Sequence, residues 1–129
     1  NYKTISMKKI LTIIFILIPF HSLSIEKTTT FTIEKFNQAQ EDGKIVVINS
    51  WNKSCLTCAK QVKILDQAKD KFKNVVFLSF EQNKDKNIAK LLNIDYWTTI
   101  AVYKNKKEIA REMGLTNKDE IYNLIKKGS

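Results

Sequence analysis

The feature that most constrains the fold is a continuous apolar segment followed closely by an amphipathic one. Residues 45–48 read Ile-Val-Val-Ile, and an uninterrupted run of this kind is typical of a strand covered on both faces. Apolar residues then recur every three or four positions, at Cys58, Val62, Leu65, Ala68 and Phe72. This spacing predicts a helix of about five turns over residues 55–72. A buried strand leading into a helix predicts an α/β fold.

The rest of the chain continues this alternation of strand and helix patterns. The further predicted elements are strands over residues 28–33 and 75–80, helices over 34–42 and 85–92, a hairpin of 99–103 with 108–113, and a last helix over 117–127. No repeat or linker divides residues 25–129, which therefore predict one domain. The order β-α-β-α-β-α-β-β-α predicts a three-layer α/β/α sandwich with a mixed central sheet.

The first 24 residues have the pattern of an export signal. A start at Met7 is followed by two lysines, an uncharged apolar stretch over residues 10–20, and small residues before Ile25. As a helix this stretch would span about 16 Å, roughly half of the hydrocarbon core. A signal peptide cleaved after Ser24 is therefore favoured over a membrane anchor. We expect residues 25–129 to be periplasmic or secreted in a bacterium, and membrane-bound only if the signal is uncleaved.

The chain is basic, with 22 Lys+Arg against 13 Asp+Glu and a formal net charge of +9. After the predicted signal peptide, Arg111 is the single arginine, and the lysines are dispersed among acidic residues. Nucleic-acid recognition favours clustered arginine with interleaved aromatic residues. We therefore expect a lysine-solvated surface and no nucleic-acid partner, on a protein that is a monomer.

The reactive side chains of the predicted domain reduce to one pair of cysteines. The single histidine, His21, falls in the predicted signal peptide, so residues 25–129 offer no imidazole for nucleophilic catalysis or zinc binding. We expect no metal and no cofactor. Cys55 and Cys58 follow the buried strand and open the helix, where free backbone amides and the helix dipole favour a thiolate at Cys55.

A thiolate at this position can exchange disulfides with a substrate. Cys55 would attack a substrate disulfide, and Cys58 would resolve the mixed disulfide; the same pair run backwards oxidises a dithiol. A structural disulfide, or two buried thiols, is the alternative explanation of this spacing.

Residues 45–60, which read IVVINSWNKSCLTCAK, resemble the active-site strand and helix of the thioredoxin family. Trp51 stands where the family has a tryptophan, residues 103–106 resemble its Phe-Lys-Asn-Gly hairpin, and residues 113–115 resemble the glycine before its last helix. The resemblance covers residues 28–127. It implies a thioredoxin fold with an exchange site on the rim of the sheet, protein thiols and disulfides as substrates, and a redox partner protein. Trp51 would pack in the core, shape the site, or both.

Two departures from the family bear on mechanism. Asn49 stands where many thioredoxins place a buried aspartate that helps to move the proton of the resolving cysteine, so Cys58 should rely on water or another group. Thr98 stands where the family has a cis-proline that faces the cysteines. A cis bond before a residue other than proline costs about 3–4 kcal/mol, so we expect a trans bond and a reshaped loop. Trp97 and Thr98 would then shape the substrate site, with the Thr98 hydroxyl beside the sulfurs.

Functions of different classes are compatible with these residues. The favoured one is an exported thiol-disulfide oxidoreductase that acts through Cys55 and Cys58. The second is a thioredoxin-like carrier of a soft ion such as Cu(I), held by the two thiolates. Against it, residues 25–129 contain one methionine, Met113, and no histidine to complete such a site. The third is a degenerate domain with a structural disulfide. Residue identities do not decide between reductase, oxidase and isomerase.

Overall fold

Helices and strands alternate along the part of the chain that the computed structural model describes, which is residues 27–129. The predicted signal peptide, residues 1–24, lies outside the described residues. The elements are α1 (Ile33–Glu41), β1 (Ile45–Trp51), α2 (Leu56–Lys71), β2 (Val75–Glu81), α3 (Lys86–Leu91), β3 (Thr99–Lys104), β4 (Lys107–Met113) and α4 (Lys118–Lys126).

The strands form one mixed sheet in the order β2-β1-β3-β4. β1 runs parallel to β2, with Ile45 opposite Val75, and the connection between them is helix α2. β3 pairs with the other side of β1 in the antiparallel sense, and β3 and β4 form an antiparallel hairpin. β1 is therefore a central strand with a hydrogen-bonded neighbour on each side.

Alternate residues of β1 face two separate hydrophobic layers. Val46 and Ile48 belong to a buried cluster that includes residues of α1 and α3, whereas Val47 belongs to a cluster with residues of α2 and α4. This period of two is what a pleated strand imposes when both its faces are covered. The predicted three-layer α/β/α sandwich is confirmed, and so is the mixed sheet.

The predicted strand over residues 28–33 is wrong. Thr32 is instead the N-cap of α1, and its side-chain oxygen accepts a hydrogen bond from the Lys35 backbone N–H at 3.1 Å. The backbone N–H groups of Thr30 and Phe31 both donate to the Ser79 carbonyl, at 2.9 and 3.0 Å. Since the helix begins one residue after Thr32, the segment contacts the edge of β2 at a single point and forms no ladder. The order within residues 27–129 is thus α-β-α-β-α-β-β-α.

The eight elements pack around two hydrophobic layers, one on each face of the sheet. All eight lie between residues 33 and 126. None of the helices in residues 27–129 combines the length and the apolar character needed to cross a membrane.

Lys27 lies against a small cavity of about 40 Å³ beneath α2, lined also by Asn49, Leu65, Asp66 and Lys69. Burial lowers the pKa of Lys27 from 10.5 to about 8, a change that nearby Asp66 opposes and Lys69 reinforces. The folded state thus disfavours the charged ammonium, whereas the unfolded chain carries it up to about pH 10.5. Lys27 therefore opposes folding fully below pH 8, and this penalty falls as the pH rises from 8 to 10.5.

Replacing Lys27 by methionine should stabilise the protein at neutral pH. We expect Lys27→Met to raise the free energy of unfolding at pH 7 by about 1 kcal/mol, and the gain to shrink towards pH 10. Urea unfolding at both pH values measures the difference. Lys35→Met, on the exposed face of α1, is the matched control and should change neither value. Equal stabilities of Lys27→Met and the unmodified chain at pH 7 would contradict the claim that the buried ammonium of Lys27 opposes folding.

Candidate active site

Cys55 and Cys58 form a disulfide at the start of α2, with their Cα atoms 5.2 Å apart. Cys55 is the N-cap residue of the helix, and its sulfur accepts a hydrogen bond from the Cys58 backbone N–H at 3.1 Å. Cys55 has an extended backbone and follows the end of β1, which places it at the rim of the sheet. The amide that now contacts a neutral sulfur is placed to stabilise a thiolate on Cys55 once the disulfide opens.

The two sulfurs differ in access to solvent. Cys55 keeps 8% of its surface exposed, whereas Cys58 is fully buried. Together with Trp51 they form a small buried cluster, separate from the two main hydrophobic layers. Trp51 is itself buried at the end of β1, and its indole N–H has no hydrogen-bond partner among residues 27–129. Trp51 therefore packs in the core and also lies against the disulfide.

The turn between β1 and α2 is fixed by Asn52. Its side-chain oxygen accepts a hydrogen bond from the Ser54 N–H at 2.9 Å, and its carbonyl accepts one from the Cys55 N–H at 3.2 Å. An asparagine that bonds the backbone two residues ahead mimics a backbone turn. This turn covers residues 52–54, between Trp51 at the end of the strand and Cys55 at the cap position.

The loop before β3 departs from the family pattern as predicted at Thr98. Every peptide bond in residues 27–129 is trans, including the bond before Thr98. Thr98 itself has φ +58°, in the left-handed region that a β-branched residue occupies at a cost of about 1–2 kcal/mol. The loop at this position therefore has a trans bond and a residue with a strained backbone in place of a cis bond.

Three hydrogen bonds hold the Thr98 backbone in this conformation. Its N–H donates to the Ser50 carbonyl at 2.9 Å, and its carbonyl accepts from the Gln61 side-chain amide at 3.0 Å and from the Gly114 N–H at 3.1 Å. Ser50 precedes the cysteines in β1, and Gln61 follows them in α2. The Thr98 backbone is thus tied to both elements that carry the disulfide, and its strain is balanced by three separate contacts.

The Thr98 hydroxyl is not bonded to the disulfide. Within the described part of the chain, it makes no hydrogen bond to the sulfur of Cys55 or Cys58, and the contacts of Thr98 come from its backbone. A hydrogen bond from this hydroxyl to a Cys55 thiolate stays a prediction for the reduced protein.

Gln61 is a site residue that the sequence pattern did not single out. It is completely buried, one turn after Cys58, and its side-chain oxygen lies 3.4 Å from the Asn49 amide nitrogen. The buried face of α2 runs through Cys58, Gln61, Leu65 and Ala68, so position 61, and not Val62, follows Cys58 on this face. The sequence does contain a signal for Gln61: it is a polar residue three positions after Cys58, on the helix face that the periodicity predicts to be buried.

Asn49 occupies the buried position on β1 with an amide. Its nitrogen lies 3.3 Å from the Thr99 carbonyl and 3.4 Å from both the Gln61 oxygen and the Ser50 carbonyl. Its own oxygen has no partner among residues 27–129, and Asn49 lines the small cavity that also contacts Lys27. The buried groups between the cysteines and the Thr98 loop are therefore amides, which do not titrate at neutral pH.

The remaining predicted site residue, Trp97, lies on the surface of the Thr98 loop. It is 40% exposed, and its indole N–H donates to the Asn83 side chain at 3.2 Å. Tyr96 beside it in sequence and Leu56 beside Cys55 are each 65% exposed. Large apolar side chains therefore adjoin both the disulfide and the loop. Among residues 27–129, no three His, Cys, Asp or Glu side chains are grouped so as to hold a metal ion.

Comparison with known proteins agrees with this geometry. A family model described as thioredoxin matches residues 27–127, which is most of the chain. The chain belongs to the thioredoxin family. The match spans the disulfide, the Thr98 loop and all eight elements, so these features are parts of one thioredoxin domain.

Individual thioredoxins give the same result at low sequence identity. Thioredoxin H-type from Fagopyrum esculentum is 26% identical over 92 residues, which cover 71% of this chain and 78% of that protein. Thioredoxin H2 from Arabidopsis thaliana is 28% identical over 92 residues, which cover 71% of this chain and 68% of that protein.

Solved structures share the thioredoxin fold. The crystal structure of Trxlp from Edwardsiella tarda EIB202 superposes with a TM-score of 0.70 at 18% identity, covering 74% of this chain and 94% of that one. Thioredoxin from Fasciola hepatica gives 0.67 at 17% identity, covering 74% and 89%. With its paired cysteines at the start of α2, the chain is a thioredoxin-like thiol-disulfide oxidoreductase.

Restoring the thioredoxin proline at position 98 should destabilise this protein. Thr98→Pro removes the N–H that donates to Ser50 and forces φ near −65°, so we expect a loss of about 3 kcal/mol or more in the free energy of unfolding. Thr98→Gly keeps the N–H and tolerates positive φ, and should remain within about 1 kcal/mol of the unmodified chain. Urea unfolding measures both. A proline variant as stable as the unmodified chain would show that the left-handed conformation is not required.

Proposed function

We propose that this protein is an exported thiol-disulfide oxidoreductase that exchanges disulfides with protein substrates, with Cys55 as the attacking and Cys58 as the resolving thiol. The observation that supports these roles is the asymmetry of the pair. The Cys55 sulfur caps a helix, receives the Cys58 N–H and keeps some exposure, whereas Cys58 is fully buried behind it. A substrate sulfur can thus approach Cys55 but not Cys58.

The reductive direction proceeds in two steps. The Cys55 thiolate attacks one sulfur of a substrate disulfide, forming a mixed disulfide and releasing the other substrate sulfur as a thiolate. Cys58 then attacks the Cys55 sulfur, its proton passes to the released thiolate, and the second substrate sulfur leaves as a thiolate. Two electrons move from the Cys55–Cys58 pair to the substrate. The same steps in reverse oxidise a substrate dithiol.

The buried amides around the pair position it and take no proton. Asn49 contacts Gln61, and Gln61 holds the Thr98 carbonyl, so the three residues fix the loop relative to α2. Because an amide neither gains nor loses a proton at neutral pH, the proton of Cys58 passes to the substrate sulfur or to water.

Exposed apolar side chains favour a protein as the substrate. Leu56 lies beside the attacking cysteine in sequence, and Tyr96 and Trp97 lie on the loop anchored next to it. Aromatic and apolar groups of this kind are enriched where proteins bind one another. A small dithiol could bind Cys55 without contacting them. A redox partner protein would use the same surface to restore the starting state of the pair.

Export is supported by the sequence of residues 1–24. A basic start, an uncharged apolar stretch and small residues before Ile25 are typical of a secretory signal peptide. A thiol-disulfide oxidoreductase outside the cytoplasm would act in the compartment where protein disulfides form and persist.

Trapping tests the roles of the two cysteines. We expect Cys58→Ser to accumulate a mixed disulfide with a protein substrate such as insulin, since Cys55 can attack and nothing resolves the product. Cys55→Ser should give no adduct, and both variants should lose turnover. Mass spectrometry of the adduct and insulin reduction measure this. In glutathione buffers the pair should show a reduction potential above about −300 mV. A pair that resists reduction in these buffers would contradict the proposal and favour a structural disulfide.

Fractionation of bacteria that express the full chain tests export separately. We expect the protein in the periplasm or medium, with a mature N-terminus at Ile25 by mass spectrometry. Ile14→Asp places a charge in the apolar stretch and should leave the protein uncleaved in the cytoplasm. Cleavage that is unaffected by this substitution would rule out residues 10–20 as the signal.

A further inference from the structure

A second charged feature lies at the end of the domain opposite to the disulfide. An open depression of about 610 Å³ occurs where β1 and β2 begin and where β3 ends. Its lining includes four lysines from three parts of the chain: Lys44 before β1, Lys71 and Lys73 between α2 and β2, and Lys104 at the end of β3. The mixed sheet brings these segments together, because β1 and β2 are parallel and β3 is antiparallel to β1.

Four more lysines lie close in sequence to Lys104 or Ser129, two residues that line this depression. Lys106 and Lys107 follow Lys104 in the β3–β4 turn, and Lys107 pairs with Lys104 in the ladder. Lys126 and Lys127 end α4, directly before Gly128, which packs against Ile45 at the start of β1. We call these eight residues the basal lysine face. Seven of them are exposed, and Lys104 is half-buried.

The charge of the basal lysine face is not balanced locally. The ion pairs within residues 27–129 are Lys69–Asp66 and Arg111–Glu108, and neither contains a lysine of this face. The carboxylates next to these lysines in sequence are Glu41 and Asp42 at the end of α1, Asp70 near the end of α2, and Glu108 on β4. Eight lysines therefore have four neighbouring carboxylates, of which Asp42 lines the depression and Glu108 is already paired with Arg111.

Helix dipoles account for part of this concentration but not for all of it. Lys71 and Lys126 lie in the last turns of α2 and α4, where a cation offsets the partial negative charge of the helix C-terminus. Lys44, Lys73 and Lys106 lie in loops and turns, and Lys107 begins β4. Lys73 directly follows the C-cap of α2 and Lys44 lies two residues after the C-cap of α1, so both can act in the same way. Lys106 and Lys107 belong to the β3–β4 hairpin, and their placement needs another explanation.

We propose that the basal lysine face docks the domain on an anionic lipid bilayer. Each lysine near an anionic membrane surface adds attraction, and a cluster of four to eight basic residues is what such docking requires. Lysine is a point charge with a flexible stem, which fits a smeared layer of headgroups, whereas a discrete phosphate site favours the bidentate geometry of arginine. The open depression gives a headgroup phosphate room between the lysines.

The attachment is electrostatic and reversible. None of the large exposed apolar residues of the described part, such as Leu56, Tyr96 and Trp97, lines the depression. The face therefore lacks the apolar side chains that an interfacial helix inserts between lipids. Binding should fall steeply with ionic strength, because salt screens charges at an exposed surface.

Docking by this face fixes the orientation of the disulfide. Cys55 lies beyond the C-terminal end of β1 and the lysines lie at its N-terminal end, about 20 Å away for a strand of this length. A domain that rests on its basal lysine face thus presents Cys55, Leu56 and the Thr98 loop away from the bilayer. The exchange site stays open to protein substrates while the domain is bound.

Vesicle binding of residues 25–129, the predicted mature protein with all eight elements, tests the proposal. We expect the domain to sediment with vesicles of phosphatidylcholine containing about one third phosphatidylglycerol, to stay free with pure phosphatidylcholine, and to be released by about 0.5 M NaCl. Replacing Lys44, Lys73, Lys106 and Lys107 by glutamine should lower the partition coefficient at least tenfold, given about fivefold per lysine. Insulin reduction in solution should not change.

A variant with the same net charge separates a lysine face from overall basicity. Replacing the exposed Lys35, Lys63, Lys84 and Lys90 by glutamine should lower binding less than threefold. An equal loss in both variants, or equal binding to the neutral vesicles, would overturn the proposal. Dithiothreitol should reduce the Cys55–Cys58 disulfide at the same rate with and without vesicles, and slower reduction on vesicles would overturn the proposed orientation.

Discussion

The burial of β1 on both faces and its pairing on both edges is the constraint on which the rest of the structure depends. One face supports α1 and α3, the other supports α2 and α4, and its two neighbours complete the sheet. At its end, Ser50 anchors the Thr98 loop through its carbonyl, and Trp51 packs on the disulfide. The position of the sulfurs is thus set by a strand with almost no freedom to shift.

Patterning along the chain predicts the elements that have strong periodicity. The apolar run of β1, the helical spacing of α2 and the β3–β4 hairpin all appear where expected, because burial on a sheet or helix face leaves a regular signature. The strand predicted over residues 28–33 is wrong because of a local hydrogen bond. Their β-branched residues favour an extended chain, but Thr32 has a stronger role as a helix cap, and the turn into α1 ends any strand.

The sequence predicts the reactive cysteines of the candidate site, but not all of the residues that hold them in place. The spacing of Cys55 and Cys58 after a buried strand indicates the pair, and the trans bond before Thr98 follows from the energy of cis bonds. The left-handed φ of Thr98 and its tie to Gln61 depend on contacts between elements far apart in sequence. Such contacts leave no periodic signal, so only the folded structure places Gln61 between α2 and the loop.

The threonine at position 98 also affects how quickly the domain can fold. Pro19 is the only proline of the chain, and it lies in the predicted signal peptide, so residues 25–129 contain none. Bonds before proline interconvert between isomers in tens of seconds, which is slow enough to hold back an otherwise fast chain. A thioredoxin that builds its loop on a strained threonine avoids this wait. Residues 25–129 can reach the native state without the help of a prolyl isomerase.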